Sequence, residues 1–340
     1  MTRVAINGFG RIGRCFFRAA MRDGANGNAF EIVALNDLGS LESLAYLLKY
    51  DTVYGKADFD VSHDGKNLIV NGKSISFVQE KELAKLPWKD LNVDIVIEST
   101  GVFTEPEKAK GHIDAGAKRV VISAPAKGEG AETVLIGANE EKLKTCTISS
   151  NASCTTNAAS PLIGILDEAI GIEKAILNTT HAYTASQALV DGPSKKDLRE
   201  GRAAAQNMVP SSTGAAKATA LAYPQMKDKF DGISVRVPVP AGSLADVTFI
   251  AKRSTTVEEV NAALKAAANS EKWKRVFAVT EEPLVSSDIL GLPYGSIADL
   301  EMTRVVGGNL VKVMAWYDNE MGYAHTLVEH VLDVTRALSV

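Results

Sequence analysis

The chain has 340 residues, 46% hydrophobic and 23% charged, which is enough apolar material for about two cores of roughly 150 residues without metals or disulfides. A net charge of −4 excludes the bulk positive field that would draw it to nucleic acid or an anionic membrane, and no apolar stretch reaches the roughly 18 residues of a membrane span. Its three cysteines, an odd number without paired metal spacing, exclude a disulfide framework and fit a reducing compartment.

The N-terminus runs straight into a buried-strand pattern at 4–6, leaving no room for a leader, so the expected location is cytoplasmic. A glycine turn follows, then a helical stretch over 10–23. Runs 31–36, 94–99 and 118–123 are short, apolar and ended by polar or small residues, as in strands covered on both faces. Alternation of such strands with helices, among them 40–50, implies a parallel, doubly wound α/β sheet. The alternating segment 73–77 reads as an added antiparallel strand.

Gly8-Phe9-Gly10-Arg11-Ile12-Gly13 matches G-x-G-x-x-G between the first strand and its helix. Gly8 permits the tight turn, Gly10 lets a pyrophosphate approach the backbone, and Gly13 allows close helix–strand packing. Asp37 ends the second strand, where a carboxylate accepts hydrogen bonds from both ribose hydroxyls and repels a 2′-phosphate; the competing role is a cap for the next helix. Strand, glycines, helix and acid together point to a Rossmann-type domain that binds NAD.

After about Asn151 the pattern changes. A helix is expected over 154–170 and a strand over 175–180, followed by longer alternating strands at 233–238, 245–252 and 309–317. A capped helix at 255–268 and a closing helix at 322–338 complete an α+β second domain with a largely antiparallel sheet. The stretch 186–214 is long, weakly periodic and rich in Gly, Ser, Pro and charge; a loop of that length inside a compact domain is either functional or misassigned.

Cys154 opens the 154–170 helix among hydroxyls and amides. The positive end of the helix dipole is expected to lower its pKa and make it a nucleophile. Cys15, on the first helix, and Cys146, in a 145–148 strand, read as small buried hydrophobes. A thiolate needs a base, and there are five histidines. His63 lies in a surface turn, His112 on a charged helix, and His325 and His330 on the closing helix, where solvated or satisfied roles are expected. His181 ends the strand after the Cys154 helix and is the candidate base, with its distance from the cysteine left open.

At these residues the chain resembles the phosphorylating glyceraldehyde-3-phosphate dehydrogenases. The blocks are Ala5-Ile6-Asn7-Gly8-Phe9-Gly10-Arg11-Ile12-Gly13-Arg14, Ser150-Asn151-Ala152-Ser153-Cys154-Thr155-Thr156-Asn157 and His181-Ala182-Tyr183-Thr184. Ser212-Thr213-Gly214-Ala215-Ala216-Lys217, Arg236-Val237-Pro238 and Trp316-Tyr317-Asp318-Asn319-Glu320-Met321-Gly322-Tyr323 continue them in the family's order across nearly the whole chain. The resemblance implies that Cys154 attacks an aldehyde with His181 as base, and that an enzyme thioester is released by phosphate. It implies that Thr184 and Arg236, with Arg199 nearby, hold the phosphate of glyceraldehyde 3-phosphate. Ser153, Thr155, Thr213 and Gly214 would cradle the attacking inorganic phosphate, although Thr213-Gly214 also reads as a helix cap. Arg11, Ile12, Asp37, Thr100 and Ser123 match cofactor contacts, and Asn319 matches the side chain that fixes the nicotinamide amide.

The implied organisation is an NAD-binding domain over 1–153, completed by the closing helix 321–340, and a catalytic domain over 154–320. The loop 186–208 would pack between the subunits of a cytoplasmic, glycolytic homotetramer. The sequence departs from many members at Ala158, where a second cysteine is common, and at Glu200, where some carry a basic residue. Segments 237–243 and 285–289 differ in detail, while Asp37-Leu38 and Pro193 resemble the NAD-using branch. Erythrose 4-phosphate as substrate, a low-turnover NAD-binding redox sensor, and a Cys154–His181 hydrolase are the competing readings. The last leaves the dinucleotide turn without a purpose.

Overall fold

The computed structural model describes residues 1–194 and 197–339. Lys195 and Lys196, inside the long loop, and Val340, at the end of the closing segment, lie outside the described residues. The chain divides into two compact units. Met1–Val134, Asn139–Ala152 and Leu327–Val340 form the first, and Leu135–Ala138 with Ser153–Thr326 form the second.

The first unit contains strands β1 (Thr2–Asn7), β2 (Phe30–Asn36), β3 (Tyr50–Asp51), β4 (Gly55–Lys56), β5 (Val61–His63) and β6 (Asn67–Val70). It continues with β7 (Lys73–Val78), β8 (Ile95–Glu98), β9 (Arg119–Ile122), β10 (Glu132–Thr133) and β11 (Ile148–Ser150). Its helices are α1 (Arg11–Arg22), α2 (Ala25–Asn28), α3 (Leu41–Lys49), α4 (Pro106–Ala109) and α5 (Gly111–Asp114). Nine strands join in the order β10-β11-β9-β8-β1-β2-β7-β6-β5, and β3 pairs with β4 alone. Val4, Ala5 and Ile6 of β1 and Ile95, Val96 and Ile97 of β8 are all inaccessible to solvent, so both faces of the sheet centre are covered. β1 pairs in parallel with β2 and β8, which makes the sheet doubly wound, with its switch point beside β1.

Two local expectations are corrected. β7 is not a purely antiparallel addition, because it runs parallel to β2 and antiparallel only to β6. Cys146 is not in a strand: it precedes β11, half-exposed, whereas Cys15 is buried as expected.

The second unit is built on β12 (Ile172–Ala182), β13 (Val209–Ser212), β14 (Phe230–Val237), β15 (Ser243–Ala251), β16 (Phe277–Thr280), β17 (Ser296–Val306) and β18 (Leu310–Tyr317). They order as β13-β14-β12-β15-β18-β17-β16, mostly antiparallel, with β12–β14 and β16–β17 parallel. Helices α6 (Cys154–Ala169), α7 (Ala215–Ala222) and α8 (Val257–Ala268) pack on it, and α9 (Met321–Leu338) closes the chain. Leu162, Ile163 and Leu166 of α6 are fully buried in one cluster with Leu177, Val247 and Phe249 of the sheet, each burial being worth roughly 1.5–3 kcal/mol. Gly171, at φ +82°, supplies the left-handed turn that returns the chain from α6 into β12.

His330 of α9 is completely buried, with Nε2 2.8 Å from the Ser149 hydroxyl and Nδ1 3.3 Å from Asn151 Oδ1. It is satisfied, not solvated. Burial lowers its pKa from 6.5 to about 4. The unfolded chain therefore takes up this proton below pH 6.5 and the folded chain only near 4. Its contribution is complete above pH 6.5 and declines as pH falls towards 4, by up to about 1.4 kcal/mol per pH unit. Urea midpoints measured at pH 7.5 and 5 are expected to show that loss, and His330→Asn to flatten it; an unchanged slope in the variant would exclude His330 as its source.

Candidate active site

In the first unit the site begins where β1 ends. Gly8 sits at φ +91°, and a Cβ there would lie 2.6 Å from the Thr100 nitrogen. A Cβ on Gly13 would lie 2.3 Å from the Gly8 carbonyl oxygen. Packing alone thus demands glycine at both positions. At Gly10 a Cβ would meet nothing within 4 Å. This open position is also the N-cap of α1, which has no side-chain cap and no acid in its first turn. Uncapped amide hydrogens facing open space suit a pyrophosphate, and the residues present fit a dinucleotide.

Asp37 accepts hydrogen bonds from the Phe9 N–H on Oδ2 (2.7 Å) and from the Gly39 N–H on Oδ1 (2.8 Å). It does not cap α3; Ser40 does, its hydroxyl oxygen accepting from the Ser43 N–H. The carboxylate is therefore held by backbone, with lone pairs left for ribose hydroxyls. Arg11 pairs with Asp51 and stacks over the Tyr54 ring at 5.2 Å, while Ile12 is half-buried beside it. Thr100 donates through both N–H and hydroxyl to Glu98 Oε1, and the Ser123 N–H donates to the Glu98 carbonyl (2.9 Å).

In the second unit Ser153 caps α6, its Oγ accepting from the Thr156 N–H at 3.1 Å, and Cys154 is the helix's first residue. Cys154 Sγ lies 3.4 Å from His181 Nε2. His181 reaches that place because α6, the Gly171 turn and β12 form a hairpin-like return. The parallel register of β12 and β14 sets His181 opposite Arg236. The imidazole packs edge-on against the Tyr317 ring (5.8 Å), whose hydroxyl bonds Thr179 (2.7 Å) and Thr155 (3.1 Å).

The tautomer follows from one contact. His181 Nδ1 is 2.6 Å from the Ala182 carbonyl oxygen, which can only accept. This contact is shorter than the opposing 3.0 Å approach of the Arg236 donor to the same nitrogen, so the proton is assigned to Nδ1 and the Nε2 lone pair faces the thiol. Arg236 Nη1 donates to the same carbonyl at 3.3 Å and stands 3.0 Å from Nδ1. Burial first, and then the Arg236 charge, lower the His181 pKa to about 4. Cys154 is partly exposed, yet burial still pushes its thiol up, against the Arg236 charge and hydrogen bonds from Thr155. This corrects the expectation of a lowered thiol pKa. The helix terminus is outweighed by desolvation.

The remaining residues divide. Arg236 Nε is buried with no hydrogen-bond partner among the described residues, an N–H that an anion would satisfy. The Thr184 hydroxyl is 3.0 Å from that of Ser186. Ser153 and Thr155 spend their hydroxyls on Thr156 and Tyr317. Thr213 Oγ1 accepts from the Ala215 N–H at 3.2 Å, and Gly214 opens α7 with nothing within 4 Å of a Cβ. Arg199 is exposed in the turn Leu198–Gly201, and no described contact brings it to Arg236. Asn319 Oδ1 accepts from the Gly242 N–H (3.0 Å) and the Ser243 hydroxyl (2.9 Å), which leaves its amide nitrogen as the outward donor. Sequence reasoning assigned no role to Tyr317 or Ser243. Ser243 accepts from the Ala182 N–H (3.1 Å) while holding Asn319, and its only signal was a polar residue starting an alternating strand.

A G-x-G-x-x-G turn before an uncapped helix in one unit, and a cysteine–histidine pair beside an arginine in the other, are each features expected of an NAD-dependent oxidoreductase. Residues 2–106 match the family model for the glyceraldehyde 3-phosphate dehydrogenase NAD binding domain, and residues 153–319 match that for the C-terminal domain. The chain is 51% identical to glyceraldehyde-3-phosphate dehydrogenase 2 of Streptomyces avermitilis over 96% of each chain. It is 50% identical to glyceraldehyde-3-phosphate dehydrogenase of Mycobacterium avium over 99% of each, and 49% identical to that of Geobacillus stearothermophilus over 96% of each. The chain belongs to the glyceraldehyde-3-phosphate dehydrogenase family, and its cofactor is NAD.

Proposed function

We propose that the protein catalyses the NAD-dependent, phosphorylating oxidation of glyceraldehyde 3-phosphate to 1,3-bisphosphoglycerate, in glycolysis or gluconeogenesis. The observation that carries this reading is the 3.4 Å approach of Cys154 Sγ to a His181 nitrogen whose lone pair is free to take its proton. His181 Nε2 takes the thiol proton as Sγ attacks the aldehyde carbon. An imidazolium whose pKa is held at about 4 does not keep that proton, and hands it to the new alkoxide as the thiohemiacetal forms. Bound NAD supplies the acceptor for the hydride that converts this adduct to a thioester. His181 takes the hydroxyl proton in that conversion, and inorganic phosphate then displaces Cys154 to release the acyl phosphate. A thioester keeps the oxidation energy that an oxygen ester would lose.

Thr184 and Arg236, whose Nε has no hydrogen-bond partner among the described residues, are assigned to the substrate phosphate, with Arg199 in a lesser role. Ser153, Thr155, Thr213 and Gly214 are assigned to the attacking phosphate, the open N-terminus of α7 being its strongest support. Gly8, Gly10, Arg11, Ile12, Gly13, Asp37, Thr100 and Ser123 are assigned to NAD, and Asn319 to its nicotinamide amide. Residues 1–153 with the closing helix are taken as the cofactor domain and 154–320 as the catalytic domain. A homotetramer is supported by the second unit's sheet, where Ile176, Ile233 and Leu310 are 59%, 54% and 43% exposed. Asn178 Oδ1 and Asp246 Oδ1, register partners on β12 and β15, are also buried without hydrogen-bond partners among the described residues. No helix among the described residues is long and apolar enough to cross a membrane. The cytoplasm is the location proposed for this metabolism.

The assay is NADH formation from glyceraldehyde 3-phosphate, with NAD and NADP side by side. Turnover is expected to need phosphate or arsenate and to favour NAD. Phosphate-independent turnover would overturn the reading, and a higher kcat/KM on erythrose 4-phosphate would move the substrate. Normal NAD binding without any NADH burst would leave a sensor in place of an enzyme.

A further inference from the structure

A buried chain of polar side chains joins the strand ends that carry the dinucleotide contacts, and the chemistry above makes no use of it. Glu98 ends β8 two residues before Thr100, Asn7 ends β1 beside Gly8, and Asn36 ends β2 beside Asp37. All three are buried, and so, completely, is His112, which lies on a helix (α5) as expected. Glu98 Oε2 accepts from Asn7 Nδ2 at 2.6 Å and stands 2.9 Å from His112 Nε2; the two nitrogens are 3.4 Å apart. Glu98 Oε1 accepts from the N–H and hydroxyl of Thr100. Asn7 Oδ1 accepts from Asn36 Nδ2 at 2.7 Å, and Asn36 Oδ1 accepts from the Glu80 N–H, just beyond β7, at 2.9 Å.

The direction of every bond is determined. An indole N–H only donates, so the Trp88 Nε1 contact at 3.0 Å makes His112 Nδ1 an acceptor. Nε2 then carries the proton and donates to Glu98. With donors converging on both oxygens, the carboxylate dictates which way the Asn7 amide faces, and Asn7 in turn dictates Asn36. Reversing either amide sets like against like along the chain. Because β8, β1, β2 and β7 are neighbours in the sheet, the network crosses the edge from which Thr100, the Gly8 turn and Asp37 project.

We propose that Glu98 is a positioning residue for the cofactor: its carboxylate, oriented by His112 and Trp88, holds the ends of β8, β1 and β2 so that Thr100, the Gly8 turn and Asp37 meet NAD as one surface. The proposal rests on the reading of those three positions as NAD contacts. Three full-length variants test it: Glu98→Gln, Trp88→Phe, and Asp37→Ala for the underlying reading. The measurements are the NAD Kd and the rate at which iodoacetamide alkylates Cys154 without NAD. Glu98→Gln places an amide N–H₂ against donors and is expected to raise the Kd about tenfold, with the alkylation rate unchanged. Trp88→Phe keeps an aromatic ring but removes the indole N–H together with part of the ring volume at a completely buried position, and is expected to raise it about threefold. It carries the test if Glu98→Gln does not fold, the alkylation rate separating a general effect of the lost volume. A Kd within about twofold of the parent in the folded variants, while Asp37→Ala weakens binding, would show a network that only packs and would overturn the proposal. A parallel change in alkylation rate would mark a global effect and overturn it equally. If Asp37→Ala leaves the Kd unchanged, the reading of the contacts fails first and takes the proposal with it.

Discussion

Cys154→Ser is expected to lower kcat by at least about 10⁴-fold while NAD still binds. The reason lies in the base as much as in the nucleophile. His181, with a pKa of about 4, is a weak base, sufficient for a thiol at 3.4 Å but not for a hydroxyl whose pKa lies far higher. Any serine adduct that did form would go on to an oxygen ester, which phosphate attacks more slowly than a thioester. Both half-reactions therefore fail together. Because Ser153 caps α6 independently of the cysteine, the helix and its burial should persist. Rapid-mixing measurement of the NADH burst, with an NAD titration as control, checks this; a burst retained within about a hundredfold of the parent would remove Cys154 from the chemistry.

His181→Asn is expected to cost about 10²–10⁴ in kcat/KM and to change the shape of the pH profile. In the parent, burial and Arg236 keep the imidazole neutral at every pH above about 4, and burial keeps the thiol protonated beyond its ordinary range. The sign is then clear. The parent should show no acid limb near pH 6.5, since the base is already in its active form there. In the variant the reaction depends on thiolate formed without assistance, so its rate should rise about tenfold per pH unit up to the raised thiol pKa. Profiles of kcat/KM and of Cys154 alkylation for both proteins decide the matter. A parental limb near 6.5 that vanishes in the variant would mean a resting thiolate–imidazolium pair, which would donate to Ala182 equally well, and would overturn the neutral-base reading. The same lowered pKa adds His181 to His330 as a source of acid instability between pH 6.5 and 4.

What was legible in the sequence was local. Gly8 and Gly13 are required by backbone conformation and by a missing Cβ, constraints that act within a few residues of the turn. Ser153 and Thr256 cap their helices because a hydroxyl reaches an amide three residues on. Asp37 was legible as a strand-end acid, although only the structure showed that Ser40, and not Asp37, caps α3.

The tertiary structure alone decided whatever depends on partners distant in sequence. Arg236 stands beside His181, 55 residues away, because β12 and β14 pair in parallel, and no local pattern encodes that register. The tautomer of His181 is set by one carbonyl contact, and the orientation of Asn319 by Gly242 and Ser243. His112 read only as a histidine on a charged helix, and its part in a buried network with Glu98 and Trp88 was not legible. The sign of the Cys154 pKa shift was reversed for the same reason. A helix dipole can be inferred from the residues around a helix start, whereas desolvation depends on the strands that pack over it. The sequence by itself determined that this chain binds a dinucleotide and offers a thiol at a helix start. Only the packing of α6 against β12, β15, β17 and β18 decided that burial raises the thiol's pKa where the helix start alone would lower it.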